Sequence, residues 1–215
     1  MKKGLFLLLA ATALLWTPVW AFTGGATYGL KGGLSIASLS GNDAEEEGDT
    51  NSSRIVGTFG GFLEYPIGPT LSFQGELLYA MKGVKATWDE GDEEVKGTTK
   101  LTYLEIPLLL KANIPMDSSV KPHIFAGPGI AFNLSAKHET EGGSHPGTVD
   151  LEDVKGIDVG AVMGAGVGFP MGSKTISFEA RYDLGLMNIY DKGEGQTEEL
   201  EIKNRVFSIL VGIGF

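Results

Sequence analysis

The sequence predicts an all-β fold, an eight-stranded antiparallel up-and-down transmembrane β-barrel. Three observations lead there. Eight stretches alternate large apolar residues with polar or small ones, which is how strands with two unlike faces read. The connections between them alternate short and long. The face opposite the large apolar residues carries ions and glycines together, which suits the cramped interior of a small barrel.

The elements follow in chain order. Met1-Lys2-Lys3 opens a short basic start, Gly4 to Leu15 is apolar apart from Thr12, and Val19-Trp20-Ala21 ends the run. That is the pattern of a secretory signal peptide over residues 1–21, cut after Ala21. Residues 22–215 then form one barrel domain. Its first strand spans Tyr28 to Leu39, with Tyr28, Leu30, Leu34 and Ile36 on one face and Lys31, Gly33 and Ser35 on the other. Arg54 to Tyr65 sets Ile55, Phe59 and Leu63 against Thr58 and Glu64. Thr70 to Met81 sets Leu71, Phe73, Leu77 and Tyr79 against Gln74 and Glu76. Thr99 to Asn113 sets Leu104, Ile106, Leu108 and Leu110 against Tyr103, Glu105 and Lys111. Lys121 to Ala136 sets Ile124, Ile130 and Phe132 against His123 and glycines. Gly156 to Phe169 sets Ile157, Met163 and Phe169 against Asp158 and glycines. Thr175 to Tyr190 sets Phe178, Tyr182 and Leu184 against Glu179, Arg181 and Asp183. The eighth, Phe207 to Phe215, alternates without a break.

Three connections are tight and begin with proline: Pro66 to Thr70, Pro115 to Val120 and Pro170 to Lys174. Proline cannot donate to a ladder, so it marks where strands stop. The other four are long and polar: Ser40 to Ser53, Trp88 to Thr98, Lys137 to Lys155 and Asp191 to Glu201. Each carries five acidic residues, so the acids gather at one end of a meander.

Composition removes several classes. The chain has 17 Lys and Arg against 27 Asp and Glu, a balance that repels nucleic acid. No apolar run of helical membrane length follows residue 21, which excludes a helical membrane protein and leaves barrels open. There is no cysteine, so disulfides do not stabilise the exported chain.

Two architectures suit eight such strands. A secreted, lipocalin-like barrel would turn its apolar face inward; an outer-membrane barrel would turn it toward lipid. Glycines on the charged face favour the second, because a solvent face has no need of small residues. Tyr28, Tyr65, Tyr79, Tyr182 and Phe215 on the apolar face are expected to form a girdle near the strand ends.

The segments LKGGLSIASLSG, GGFLEYPIGPTLSFQGELLYAMKG, LTYLEIPLLLK, HIFAGPGIAFNLSAK and RYDLGLMNI resemble the outer-membrane β-barrel domain family sometimes called PorT-like. The resemblance covers nearly all of Tyr28 to Phe215. It implies a small eight-stranded barrel in the outer membrane of a Gram-negative-type cell and no defined activity. It also implies that the outward row Phe207, Ile209, Val211, Ile213 and Phe215 serves as the C-terminal signal read by the barrel-insertion machinery.

An eight-stranded interior is filled by side chains, so an open pore is not expected. Inward ions must pair there. The expected interior network places Glu76, Glu105 and Glu179 around Arg181 and Lys111. No catalytic or metal-ligating set and no cofactor is expected. The acidic connections are read as solvated, disordered loops, available to an extracellular protein or to a divalent cation bridging to lipopolysaccharide. A monomer in outer-membrane lipid with a structural or interaction role is the favoured function, and no enzyme activity is expected. One rival is an outer-membrane lipid-modifying enzyme, for which Ser135, Ser144 and His138, with Glu139 and Glu141, are the available residues. The other rival is the soluble binding barrel.

Overall fold

A computed structural model describes residues 25–40, 50–90, 93–190 and 201–215. The expected leader lies outside these residues, as do Asp43, Glu45, Glu46, Glu47, Asp49, Asp92, Asp191, Glu194, Glu198 and Glu199 of the acidic connections. The strands are β1 (Thr27–Ser40), β2 (Thr50–Pro66), β3 (Leu71–Glu90), β4 (Glu93–Asn113), β5 (Lys121–Glu141), β6 (Gly147–Asp150), β7 (Ile157–Met171), β8 (Lys174–Gly185) and β9 (Lys203–Gly214).

Every pairing is antiparallel, and β1 bonds to β2 on one side and to β9 on the other. Because β4 also pairs with β5, the sheet closes on itself through β5, β7, β8 and β9. Eight strands form the ring, and the short β6 hangs on β5 outside it, opposite Lys137–Thr140. The ring is sealed beyond its last ladder residue: Phe215 N donates to Tyr28 O at 2.8 Å, and Tyr28 N donates to Phe215 O at 3.4 Å. Closure leaves no free edge in the wall, which is the condition for strands to cross lipid.

The side chains settle which way the faces point. Leu34 is 66% and Ile55 72% exposed, and the outward rows of every ring strand contribute large exposed apolar residues. An apolar surface of that extent is a lipid-facing wall rather than a water-facing one. Lys31, Glu76, Glu105, Lys111, Glu179 and Arg181 are buried inside. The soluble barrel is therefore overturned, since it requires the reverse. The terminal row Phe207, Ile209, Val211 and Phe215 is exposed on the wall, while Ser208 and Leu210 point in.

Sequence and structure differ in four places. The connection expected over Trp88 to Thr98 is mostly ladder: β3 and β4 pair up to Glu90 and Glu93. The hairpin outruns the barrel because Trp88 and Val95, cross-strand partners, continue the alternation past the charges. The third long connection likewise holds the end of β5 and all of β6. The seventh stretch ends early, at Gly185; Leu186 to Tyr190 turns across the barrel mouth, held where Leu186 N donates to Val159 O and Ile189 N to Ile202 O. Finally, Tyr28, Tyr65 and Phe215 sit at the short-turn rim and Tyr182 near the long-loop end of β8, but Tyr79 pairs with Phe59 and Leu104 in the middle of β3, so fewer aromatics mark strand ends than expected.

Glycine is required at particular approaches. A Cβ on Gly33 would lie 2.0 Å from Ile209 O, so the β1–β9 wall closes only without one. Gly83, near the point where the β2–β3 register shifts, has φ +125°, a conformation that side chains resist.

Candidate functional site

The interior has three levels. The middle level is ionic. Lys31 on β1 donates to Glu76 on β3 and to Glu179 on β8, both at 2.7 Å. Arg181 on β8 donates from Nη1 to the other Glu76 oxygen at 2.7 Å and reaches Asp183 Oδ1 from Nη2 at 3.2 Å. Gln74 Nε2 adds a 2.6 Å bond to Glu76 Oε1. Arg181 is 1% exposed, so this guanidinium lies across the axis of the barrel. Beside it runs a hydroxyl chain from Thr58 through Ser35 to Ser208, with steps of 2.9 and 2.8 Å.

Toward the long-loop end, Lys82 pairs with Glu105 at 2.5 Å and stands 3.9 Å from Asp158. Asn204 donates to Asp158 at 2.9 Å, and the Lys82 ammonium sits 5.0 Å from the Tyr103 ring centre. Toward the short-turn end, Lys111 pairs with Glu64 at 2.8 Å.

All five residues expected to form the network point inward, but they do not form one cluster. Glu105 belongs to Lys82 and Lys111 to Glu64, while the cation that joins Glu76 to Glu179 is Lys31. Alternation along a strand tells which residues enter the lumen. Their heights depend on the stagger between strands, which alternation does not contain. Lys31 and Asp158 were visible as inward ions; their partners were not.

The third level, at the long-loop end, is apolar. Leu101, Tyr103, Ala131, Ala136 and Ile189 pack together, with Leu39, Leu151, Val154 and Ile202 against them. Ile189 is 4% exposed although it follows the end of β8. Asn188 Oδ1 accepts from Tyr190 N and Ile202 N and so fixes this segment over the mouth. Sequence reasoning missed this lid because its members stand singly among polar residues.

Above the membrane wall, β3, β4, β5 and β6 continue as an open sheet carrying Asp89, Glu94, Glu139, Glu141 and Asp150. Lys100 pairs with Glu139, and that hydrogen bond holds the carboxyl below its usual range. Lys96 pairs with Glu94 at 2.9 Å and Lys137 with Asp150 at 3.7 Å, all well exposed. Among the described residues, no group of three or more His, Asp or Glu is arranged to hold a metal ion. Ser135 and His138 do not meet: the β4–β5 register shifts at Leu134, and residues three apart on a strand face opposite ways. His138 faces Thr99, with Nδ1 3.2 Å from its hydroxyl.

A closed eight-stranded ring with lipid-facing apolar residues and ions inside is an integral outer-membrane barrel. The chain belongs to the outer membrane protein beta-barrel domain family, whose model matches residues 21–191. Among solved structures it is similar to Neisserial surface protein A (NspA), at 15% identity and TM-score 0.47, covering 88% of this chain and 97% of that one. It is also similar to OprG from Pseudomonas aeruginosa, at 12% identity and TM-score 0.48, covering 89% and 96%. Ail, the attachment invasion locus protein of Yersinia pestis, is similar at 12% identity and TM-score 0.41, covering 88% and 99%. No curated protein sequence matches the chain.

Proposed function

We propose that this protein is a closed, monomeric outer-membrane platform with a structural and interaction role, neither a pore nor an enzyme. The observation that carries the reading is the doubly closed lumen, ionic at Arg181 and apolar at Ile189. A barrel stopped at two levels transports nothing through its centre, whereas the sheet raised beyond the wall offers a surface. In barrels of this type the short turns face the periplasm and the long loops the exterior. The raised sheet then presents its acids to a basic segment of an extracellular protein, and divalent cations bridge the same acids to neighbouring lipopolysaccharide. The outward row Phe207, Ile209, Val211, Ile213 and Phe215 is the segment read by the insertion machinery. The lipid-modifying reading draws no support from Ser135 and His138, which face opposite ways.

Two measurements test this together. In planar bilayers the purified protein is expected to give no stepwise conductance. Cells displaying it are expected to capture a polylysine-coated surface in a salt-dependent way, and to lose that capture when Asp89, Glu94, Glu139, Glu141 and Asp150 become amides. Steady single-channel currents, or hydrolysis of outer-membrane lipid by the pure protein, would replace the reading with a pore or an enzyme.

A further inference from the structure

All three short turns share an unusual feature. Each begins with proline and follows it with a large apolar residue: Pro66-Ile67, Pro115-Met116 and Pro170-Met171. Ile67 is 57%, Met116 58% and Met171 61% exposed. Tight turns are ordinarily built from Gly, Pro, Asn, Asp and Ser. A single exposed apolar residue needs no explanation, but the same device in every short turn does.

These residues extend the wall. Alternation carries the outward row of β2 from Leu63 and Tyr65 to Ile67. It carries the row of β4 from Leu108 and Leu110 through Ile114 to Met116, and that of β7 from Phe169 to Met171; all of these are exposed. The first two rows stay apolar beyond the last ladder residues, Pro66 and Asn113, and the third to its last, Met171. The turns are spread round the ring, between β2 and β3, β4 and β5, and β7 and β8. At the β1–β9 seam, Tyr28 and Phe215 stack with ring centres 6.0 Å apart. A protein approaching from the periplasm would meet the end of the barrel, whereas this collar lies on its circumference and is continuous with the lipid-facing surface.

Charge agrees with that placement. The four long connections carry five acidic residues each, whereas the three short turns hold only Asp117 and Lys174. Asp117 falls outside the outward row, beside Ser118, whose hydroxyl donates to Val120 O at 3.0 Å. Lys174 falls on it. It heads the outward row of Ile176 and Phe178 on β8 and stands opposite Met171. Its ammonium sits 5.0 Å from the centre of the Phe215 ring, and no carboxylate among the described residues pairs with it. A lysine at the end of an apolar row keeps its stem on the wall and lifts its ammonium to the headgroups, where it meets phosphate.

We propose that the short-turn rim is a lipid anchor. Ile67, Met116 and Met171 lie in the boundary between acyl chains and headgroups of the periplasmic leaflet, and Lys174, over Phe215, contacts the phosphate of an anionic phospholipid. The anchor fixes the depth of the barrel from the end opposite the acidic sheet, and it is independent of the interaction role above.

The mature barrel carries its own reporters. Met163 is on the wall and Met187 in the segment over the mouth, and both are exposed. The barrel is placed in nanodiscs of phosphatidylcholine and phosphatidylglycerol, which are open on both faces. Chloramine-T attacks methionines from the water, and peptide masses report each sulfoxide. Met116 and Met171 are expected to oxidise as slowly as Met163 and far more slowly than Met187. Oxidation of the two turn methionines at the rate of Met187 overturns the proposal, and this measurement needs no variant. Cover by protein is separated from cover by lipid with Met171→Trp in a Trp88→Phe background; Trp88 is the only tryptophan beyond the expected leader. Brominated acyl chains are expected to extinguish the new fluorescence, and an unquenched signal overturns the proposal. Native mass spectrometry of barrels released from the same discs reads the phosphate contact. Phosphatidylglycerol is expected to be retained over phosphatidylcholine, with the preference reduced about fivefold in Lys174→Gln, as for one lysine near an anionic surface. An unchanged preference overturns the assignment of Lys174.

Discussion

The middle of the lumen and its long-loop end are built from different materials. In the middle, Lys31, Glu76, Glu179 and Arg181 hold one another through bonds of 2.7 Å. At the long-loop end, Leu101, Ala131 and Ile189 simply fill space. The two regions stop the same passage but tolerate damage differently. A buried ion deprived of its partner keeps its charge and loses its solvent, which costs more than the pair contributed. An apolar cluster that loses a methyl group loses contact area and leaves a gap, and the cost shrinks where neighbours can settle. The ionic level is therefore brittle and the lid forgiving.

The sharpest way to break this comparison is at Arg181. Arg181→Ala leaves Asp183 without its direct cation and Glu76 with Lys31 alone, and is expected to cost about 3–5 kcal/mol. The loss is read as a lower unfolding temperature of the folded band on a gel. Replacing both partners, Arg181→Met with Glu76→Leu, is expected to be milder than the single change; a double variant that is worse would refute the brittle-pair account. The outer wall comes next. Ile209→Lys places a charge in lipid at a half-exposed position of β9 and is expected to cost about 2–4 kcal/mol, measured by refolding into vesicles under urea. Ile189→Ala should fall near the low end for buried aliphatic truncations, about 2 kcal/mol, because its segment is not locked into the ring. Neither Arg181→Ala nor Ile189→Ala alone should conduct ions, since the other level still blocks, whereas the combined variant should. The smallest effect is expected at Lys137→Ala, which removes an exposed pair with Asp150 and should shift stability by no more than about 0.5 kcal/mol. A larger shift would mean that β6 contributes to the barrel itself.

The ring strands were legible because lipid enforces a simple code. Leu30, Leu34 and Ile36 had to face one way and Lys31 and Ser35 the other, and period-two spacing states that directly. The raised sheet was not legible, since Thr98, Lys100 and Glu139 resemble loop residues until their ladder partners are known. The lid was hidden for a similar reason: Leu39, Leu151, Val154 and Ile202 stand apart in sequence and meet only when residues in or beside three connections converge.

The amino-acid order by itself determined eight two-faced strands and which residues share a face, and it favoured the lipid-facing orientation that exposed Leu34 and Ile55 settle. Those properties depend on neighbours one and two positions apart. Tertiary structure alone decided that Lys31 joins Glu76 to Glu179, that Glu105 belongs to Lys82, and that Ile189 closes the mouth. Such partnerships are set by the stagger of strands around the ring, and stagger is a property of the whole sheet rather than of any stretch within it.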